Sequence, residues 1–147
     1  MFTYYSGRPF TVYSGANTFG SVVQSTADCG DCSHSMGAVQ EVAGYKWFFN
    51  PNTDKPKFTS PAAGSLGNTG KGYFFGPRFI DMDLALLKRI RIKESINLEL
   101  RADATNISNT ASFGLPTATI TSSTFGRIGG GVESAPRRIQ LGMKFNF

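Results

Sequence analysis

The last eleven residues, Arg137 to Phe147, alternate without an error. Ile139, Leu141, Met143, Phe145 and Phe147 share one parity, and Arg138, Gln140, Gly142, Lys144 and Asn146 share the other. A β-strand sends successive side chains to opposite faces, so this segment is a ribbon with one apolar and one wet side. Its length matches the roughly 9–11 residues with which a tilted strand crosses a bilayer. Ending on such a strand with a terminal Phe is unusual for a soluble domain and ordinary for an outer-membrane barrel.

The chain has 147 residues, enough for one domain. Its 40% apolar and 13% aromatic content is that of a folding chain, and its 17 Gly and 13 Phe favour strands and turns. No apolar run approaches the roughly 18 residues of a transmembrane helix, which leaves barrel strands open because they are apolar only at every second position. The amino terminus shows no basic, apolar and small-residue export signal. Met1-Phe2-Thr3-Tyr4-Tyr5 reads as the middle of a strand, so the expectation is a piece of a longer exported protein with Met1 an internal or artificial start. The formal charge of +5 is scattered apart from Lys88-Arg89-Arg91-Lys93 beside a turn. That pattern suits a solvated strand end, and no nucleic-acid-binding motif accompanies it.

Three further segments read as strands. Residues 1–12 are aromatic-rich but interrupted by Gly7-Arg8-Pro9, which marks a bulged or marginal strand. Over 78–92, Ile80, Met82, Leu84, Leu86, Ile90 and Ile92 share one parity with Lys88 intruding. Over 96–106, Ile96, Leu98, Leu100, Ala102 and Ala104 alternate with Asn97, Glu99, Arg101, Asp103 and Thr105. On a helix those apolar positions would spread around the circumference, so strand is the reading. Lys93-Glu94-Ser95 is a tight turn, while residues 13–77 and 107–136 are long connections rich in Gly, Ser, Thr, Asn and Pro. Outer-membrane barrels alternate short periplasmic turns with long outer loops, and placing the terminal strand's end in the periplasm puts both long connections outside. The expected fold is all-β: an antiparallel meander of about four strands, a partial segment of a transmembrane β-barrel with two long extracellular loops. Lys88 then snorkels at the periplasmic rim. Phe145 and Phe147 suit the inner aromatic girdle, and Tyr73, Phe74, Phe75 and Phe79 the outer one. The loops themselves are expected to be loosely placed.

Five stretches resemble the carboxyl-terminal end of TonB-dependent outer-membrane receptors, closest to the Oar-like group whose members often carry a carboxypeptidase-regulatory-like domain. They are Ser6-Gly7-Arg8-Pro9-Phe10, the run Gly76 to Leu86, Arg101-Ala102-Asp103-Ala104-Thr105-Asn106-Ile107, Ser123-Thr124-Phe125-Gly126-Arg127-Ile128 and Pro136 to Leu141. The similarity lapses over about 14–72. It implies a barrel of about 22 strands around a plug, in a Gram-negative outer membrane, with uptake of a bulky nutrient energised through TonB. Plug and TonB-contacting box lie outside these residues. The partners implied are outer-membrane lipid, the rest of the barrel and its plug, the barrel-assembly machinery, and TonB only through an amino-terminal part; the chain is expected to be neither an enzyme nor a cofactor carrier.

Leu141, Met143, Phe145 and Phe147 resemble the terminal signal read by barrel-assembly machinery, which needs an amphipathic edge strand with an aromatic end. Their plainer role is a last structural strand. Cys29-Gly30-Asp31-Cys32 with His34 offers three candidate zinc ligands where a structural site wants four, so a local loop disulfide between Cys29 and Cys32 is the expectation. Asp81, Asp83, Glu99, Arg101 and Asp103 face the lumen on this parity, as ordinary charge pairs or as plug or substrate contacts. Gly129-Gly130-Gly131 lacks the Lys-Ser/Thr of a phosphate loop and reads as a flexible outer loop. Tyr45, Trp47, Phe48 and Phe49 either pack together or touch ligand. Two alternatives stay open: a protomer of an oligomeric barrel, and a secreted β-sandwich that buries Ile96, Leu98, Leu100, Leu141 and Met143 under a second sheet.

Overall fold

The computed structural model describes residues 1–20, 24–93 and 96–147. It is all-β among these residues, with one 3₁₀ turn at Lys55–Lys57 and no helix long and apolar enough to cross a membrane. The strands are β1 Phe2–Tyr5, β2 Pro9–Phe10, β3 Asp28–Cys29, β4 Gln40–Val42, β5 Tyr45–Trp47, β6 Phe58–Thr59, β7 Phe74–Phe75, β8 Phe79–Met82, β9 Leu84–Arg91, β10 Asn97–Thr105 and β11 Arg138–Asn146. The chain divides into two compact units. A wall comprises Met1–Tyr4, Ile80–Ser112 and Val132–Phe147, and a lobe comprises Tyr5–Phe79 and Phe113–Gly131.

The wall is an antiparallel sheet in the order β9, β10, β11. Its strands form where the sequence alternates, because there each residue can satisfy both a lipid-like and a water-like side of the sheet. The predicted turn falls at Glu94 and Ser95 outside the described residues, but Lys93 and Ile96 exchange backbone hydrogen bonds of 3.2 Å across it. β8 continues toward β9 with a break at Asp83 and pairs with β1. Met1 and Asp83 donate to each other's carbonyl, at 2.5 and 2.7 Å, the reciprocal exchange that marks an antiparallel pair. On its other side the Met82 carbonyl accepts Ile107 N–H at 2.8 Å. The strand anticipated over 1–12 is instead divided into β1 and β2. Gly7, at φ +133°, turns the chain so closely past Gly76 that a Cβ there would lie 2.2 Å from its carbonyl oxygen.

The lobe departs from the sequence expectation. Rather than loosely placed loops, residues 5–79 and 113–131 pack around their own aromatic core. Phe10, Phe48, Phe49, Phe58, Phe74 and Phe125 are buried in it together with Val12, Ala27, Cys29 and Ile128. Phe49 is the hub. It is fully buried, with ring centroids 5.2–5.9 Å from those of Phe48, Phe58, Phe74, Phe125 and Phe10. Phe74, assigned from sequence to a lipid-facing girdle, lies inside this core; pairing of β7 with β2 turns it inward opposite Phe10. The strands of the lobe are two or three residues long, so its cohesion comes from ring packing rather than from ladders.

Candidate membrane interface

Residues directly opposite one another in an antiparallel sheet share a face, so the register of the wall decides what each face carries. One face holds four cross-strand rows: Ile90-Leu98-Phe145, Lys88-Leu100-Met143, Leu86-Ala102-Leu141 and Leu84-Ala104-Ile139. Eleven of these twelve positions are apolar. The other face holds Arg91-Asn97-Asn146, Arg89-Glu99-Lys144, Leu87-Arg101-Gly142 and Ala85-Asp103-Gln140, nine of twelve polar. No described segment covers the apolar face: Leu141 is 78% exposed, Met143 74% and Phe145 51%. A contiguous apolar sheet face of this extent is far beyond what a soluble monomer leaves to water. The predicted covering sheet of a soluble sandwich is absent from the described residues. The nine residues of β11 rise roughly 30 Å along the strand, which a tilt of about 40° reduces to the height of an outer-membrane apolar band.

Lys88 is the one charge on the apolar face. It stands three residues before Arg91, roughly 10 Å along the strand from the turn end. Tilt shortens the depth further, and an extended lysine stem reaches the headgroups from there. Phe147 follows β11 directly, its ring centroid 6.4 Å from that of Phe145, so Leu141, Met143, Phe145 and Phe147 form one apolar edge down the last strand.

The lumen candidates separate into two groups. Glu99, Arg101 and Asp103 lie on the polar face of β10. Arg89 Nε donates to Glu99 across the strands at 2.9 Å, and Arg101 Nε to Asp103 along the strand at 2.6 Å. These exposed pairs contribute at most about 1 kcal/mol each. Asp81 and Asp83 lie instead at the end of the wall beside Thr105, Asn106 and Arg138, where Asp83 Oδ1 accepts the Asn106 N–H at 3.1 Å.

That end is held by side chains that sequence reasoning did not single out. Asn106 is buried at φ +46° and donates from Nδ2 to the carbonyls of Thr110 (3.3 Å) and Ala135 (2.8 Å), while its Oδ1 accepts Thr110 N–H at 3.1 Å. Ser112 Oγ accepts Ile80 N–H at 3.0 Å and donates to Ile80 O at 3.1 Å, imitating a strand partner. Ser134 Oγ accepts Ser112 N–H and donates to Thr110 O, both at 3.0 Å. The connection leaving β10 is thereby tied to the segment entering β11.

In the lobe Cys29 and Cys32 form a disulfide. Asn68 brackets Cys29 with its amide, accepting Cys29 N–H and donating to Cys29 O, both at 2.8 Å. With both sulfurs bonded, neither is a thiolate ligand. His34 is engaged elsewhere, with Nδ1 donating to Tyr73 O at 2.7 Å. Among the described residues no group of three or more His, Cys, Asp and Glu side chains is arranged to hold a metal. Phe48 and Phe49 belong to the core, whereas Tyr45 is exposed and carries the Arg127 guanidinium 3.7 Å from its ring centroid. Beside it Lys46 donates to Glu41 at 2.6 Å, a hydrogen bond that, with the Lys46 charge, holds the Glu41 carboxyl below its ordinary value.

The stretches singled out in the sequence meet in pairs. Pro9 and Phe10 lie opposite Phe75 and Phe74, beside a Gly76 N–H to Arg8 O bond of 2.9 Å. Gly126 carries φ +83° against Phe49, where a Cβ would sit 2.7 Å from that residue's backbone oxygen, and Phe48 N–H donates to its carbonyl at 2.7 Å. Thr105 stands opposite Arg138. No curated protein and no solved structure matches the chain. The outer membrane beta barrel domain family does match, over residues 1–140. A sheet with one bare apolar face and one charged face, together with that match, means that this chain belongs to the outer membrane beta barrel domain family and resides in the outer membrane of a Gram-negative bacterium.

Proposed function

We propose that the chain is a carboxyl-terminal wall segment of a TonB-dependent transporter that takes up a bulky nutrient, and that it transports nothing alone and catalyses no reaction. The observation that carries the reading is the open wall. β9 and β11 each have one neighbour in the three-stranded sheet, and the apolar face between them is uncovered. Lipid does not tolerate unpaired strand edges, so the sheet needs further strands to close. The five receptor-like stretches favour strands from a TonB-dependent receptor over copies of the same chain. In this reading Leu141, Met143, Phe145 and Phe147 form the edge presented to the barrel-assembly machinery. Glu99, Arg101 and Asp103 face the lumen and its plug.

The test uses the full-length receptor purified in mild detergent. It should have the mass of a single-chain barrel and bind the periplasmic domain of TonB, and removing its amino-terminal TonB box should abolish that binding. A trimer of four-stranded protomers, or a monomer without affinity for TonB, would overturn the proposal.

A further inference from the structure

The lobe contains a cavity of about 730 Å³, within the size range of small-molecule sites. Its apolar lining comes from Val39, Phe48, Phe75 and Pro77. Its polar lining comes from Arg78, His34, Ser6 and Ser35. No carboxylate lines it, and none among the described residues pairs with Arg78. The cavity therefore offers a rigid cationic fork beside flat apolar surface, the complement of a carboxylate on an apolar body.

The walls are built rather than incidental. The segment bearing His34 and Ser35 leaves the Cys29–Cys32 disulfide directly. It is anchored by Tyr73, whose hydroxyl donates to Cys32 O at 2.9 Å and whose ring lies 4.0 Å from that of His34. Ala38 N–H donates to Phe48 O at 3.0 Å. Between them Gly37, at φ +105°, lets the Phe48 ring rest on bare backbone, where a Cβ would sit 2.4 Å from a ring carbon. Pre-formed walls spare a ligand the ordering cost of making its own site.

We propose that this cavity binds a small organic carboxylate, its anionic group on Arg78 and its apolar body against Phe48, Phe75 and Val39. A single guanidinium suits one carboxylate, and the apolar surface excludes a bare inorganic anion as the preferred occupant. The proposal deepens the uptake reading by giving the cargo a chemistry, and rests on that reading only for the bound molecule being cargo.

The test is calorimetric titration of the full-length receptor in detergent micelles, with empty micelles as reference. The probes are 2-naphthoate, its neutral analogue 2-naphthamide, and inorganic phosphate. Naphthoate should bind at least about tenfold more tightly than naphthamide, and phosphate should not displace it. Arg78→Gln should weaken naphthoate about tenfold and leave naphthamide unchanged, while Val39→Trp, which narrows the cavity, should weaken both. Both positions are exposed, and hydrogen exchange around Phe49 verifies that each variant keeps the lobe. No naphthoate binding, equal binding of acid and amide, an inert Arg78→Gln, or displacement by phosphate would each overturn the proposal. A receptor that binds TonB but not naphthoate sinks this site alone, and one that binds naphthoate but not TonB sinks the uptake reading alone.

Discussion

Phe49 and Asn106 show two ways in which one side chain holds a segment that has almost no ladder of its own. Phe49 touches five other Phe rings. Phe49→Ala should destabilise the lobe by about 3–5 kcal/mol, the usual cost of emptying an aromatic from a core. Amide exchange of residues 48–58 in the full-length protein reads this directly: it should accelerate strongly, with β10 unaffected. Gly126→Ala tests the same contact from the other side, because its Cβ would meet Phe49 and its φ is left-handed. Asn106 acts through hydrogen bonds. Truncation to Ala leaves the Ala135 carbonyl and the Thr110 backbone without their partner in a partly buried setting, at about 0.5–1.5 kcal/mol. Asn106→Ala should release exchange protection at Thr110, and unchanged protection there would show that the amide is dispensable.

Among the elements, β11 is legible in the sequence because lipid on one side and water on the other impose a period of two on every residue. Its register makes a sharp comparison available. Leu141 is in the apolar row and Gln140 in the polar row of the same strand. Leu141→Arg near mid-strand should cost about 2–4 kcal/mol of stability in bilayers, whereas Gln140→Arg should be close to neutral. Urea unfolding of the protein in vesicles measures both, and equal effects would mean that lipid does not distinguish the two faces. The Cys29–Cys32 turn is an element of another kind. It closes a loop of sequence separation 3, so reduction should lower lobe stability by about 2 kcal/mol, the modest value of a short loop. The β4–β5 hairpin adds a pH signature. Its Glu41 carboxyl is depressed in the folded state, so the Lys46 pair stabilises fully above the ordinary carboxylate pKa and is lost as pH falls through the folded value. Exchange of β4 amides should rise in that acid range and only slightly, because the pair is exposed.

At the scale of the molecule, the wall and the lobe differ in what their sequences could disclose. The wall is periodic and local. The lobe brings Phe10, Phe48, Phe49, Phe58, Phe74 and Phe125 together from segments with no shared period, through strands too short to leave an alternation. Gly, Ser and Asn around them carry the turn signals of a loop; what they hide is that a turn-rich segment with this many Phe residues can bury its own core. Clustered Phe in a polar connection is the available clue, although the neighbouring Tyr73, Phe75 and Phe79 make Phe74 resemble part of a lipid-facing girdle. The wall, in contrast, cannot finish itself. Amides of β11 that do not bond to β10 lie at an open edge. In a bilayer each would cost several kcal/mol if left unpaired. Hydrogen exchange can therefore distinguish the chain alone from the chain in its barrel. In the larger barrel proposed above, those edge amides should exchange as slowly as the ones facing β10. In the isolated 147-residue polypeptide they should exchange quickly, while the amides around Phe49, packed by rings rather than by neighbouring strands, keep the same protection in both. Fast edge exchange in the protein in its native membrane would mean that β11 has no further strand beside it, and closure of the sheet by a larger barrel would have to be abandoned.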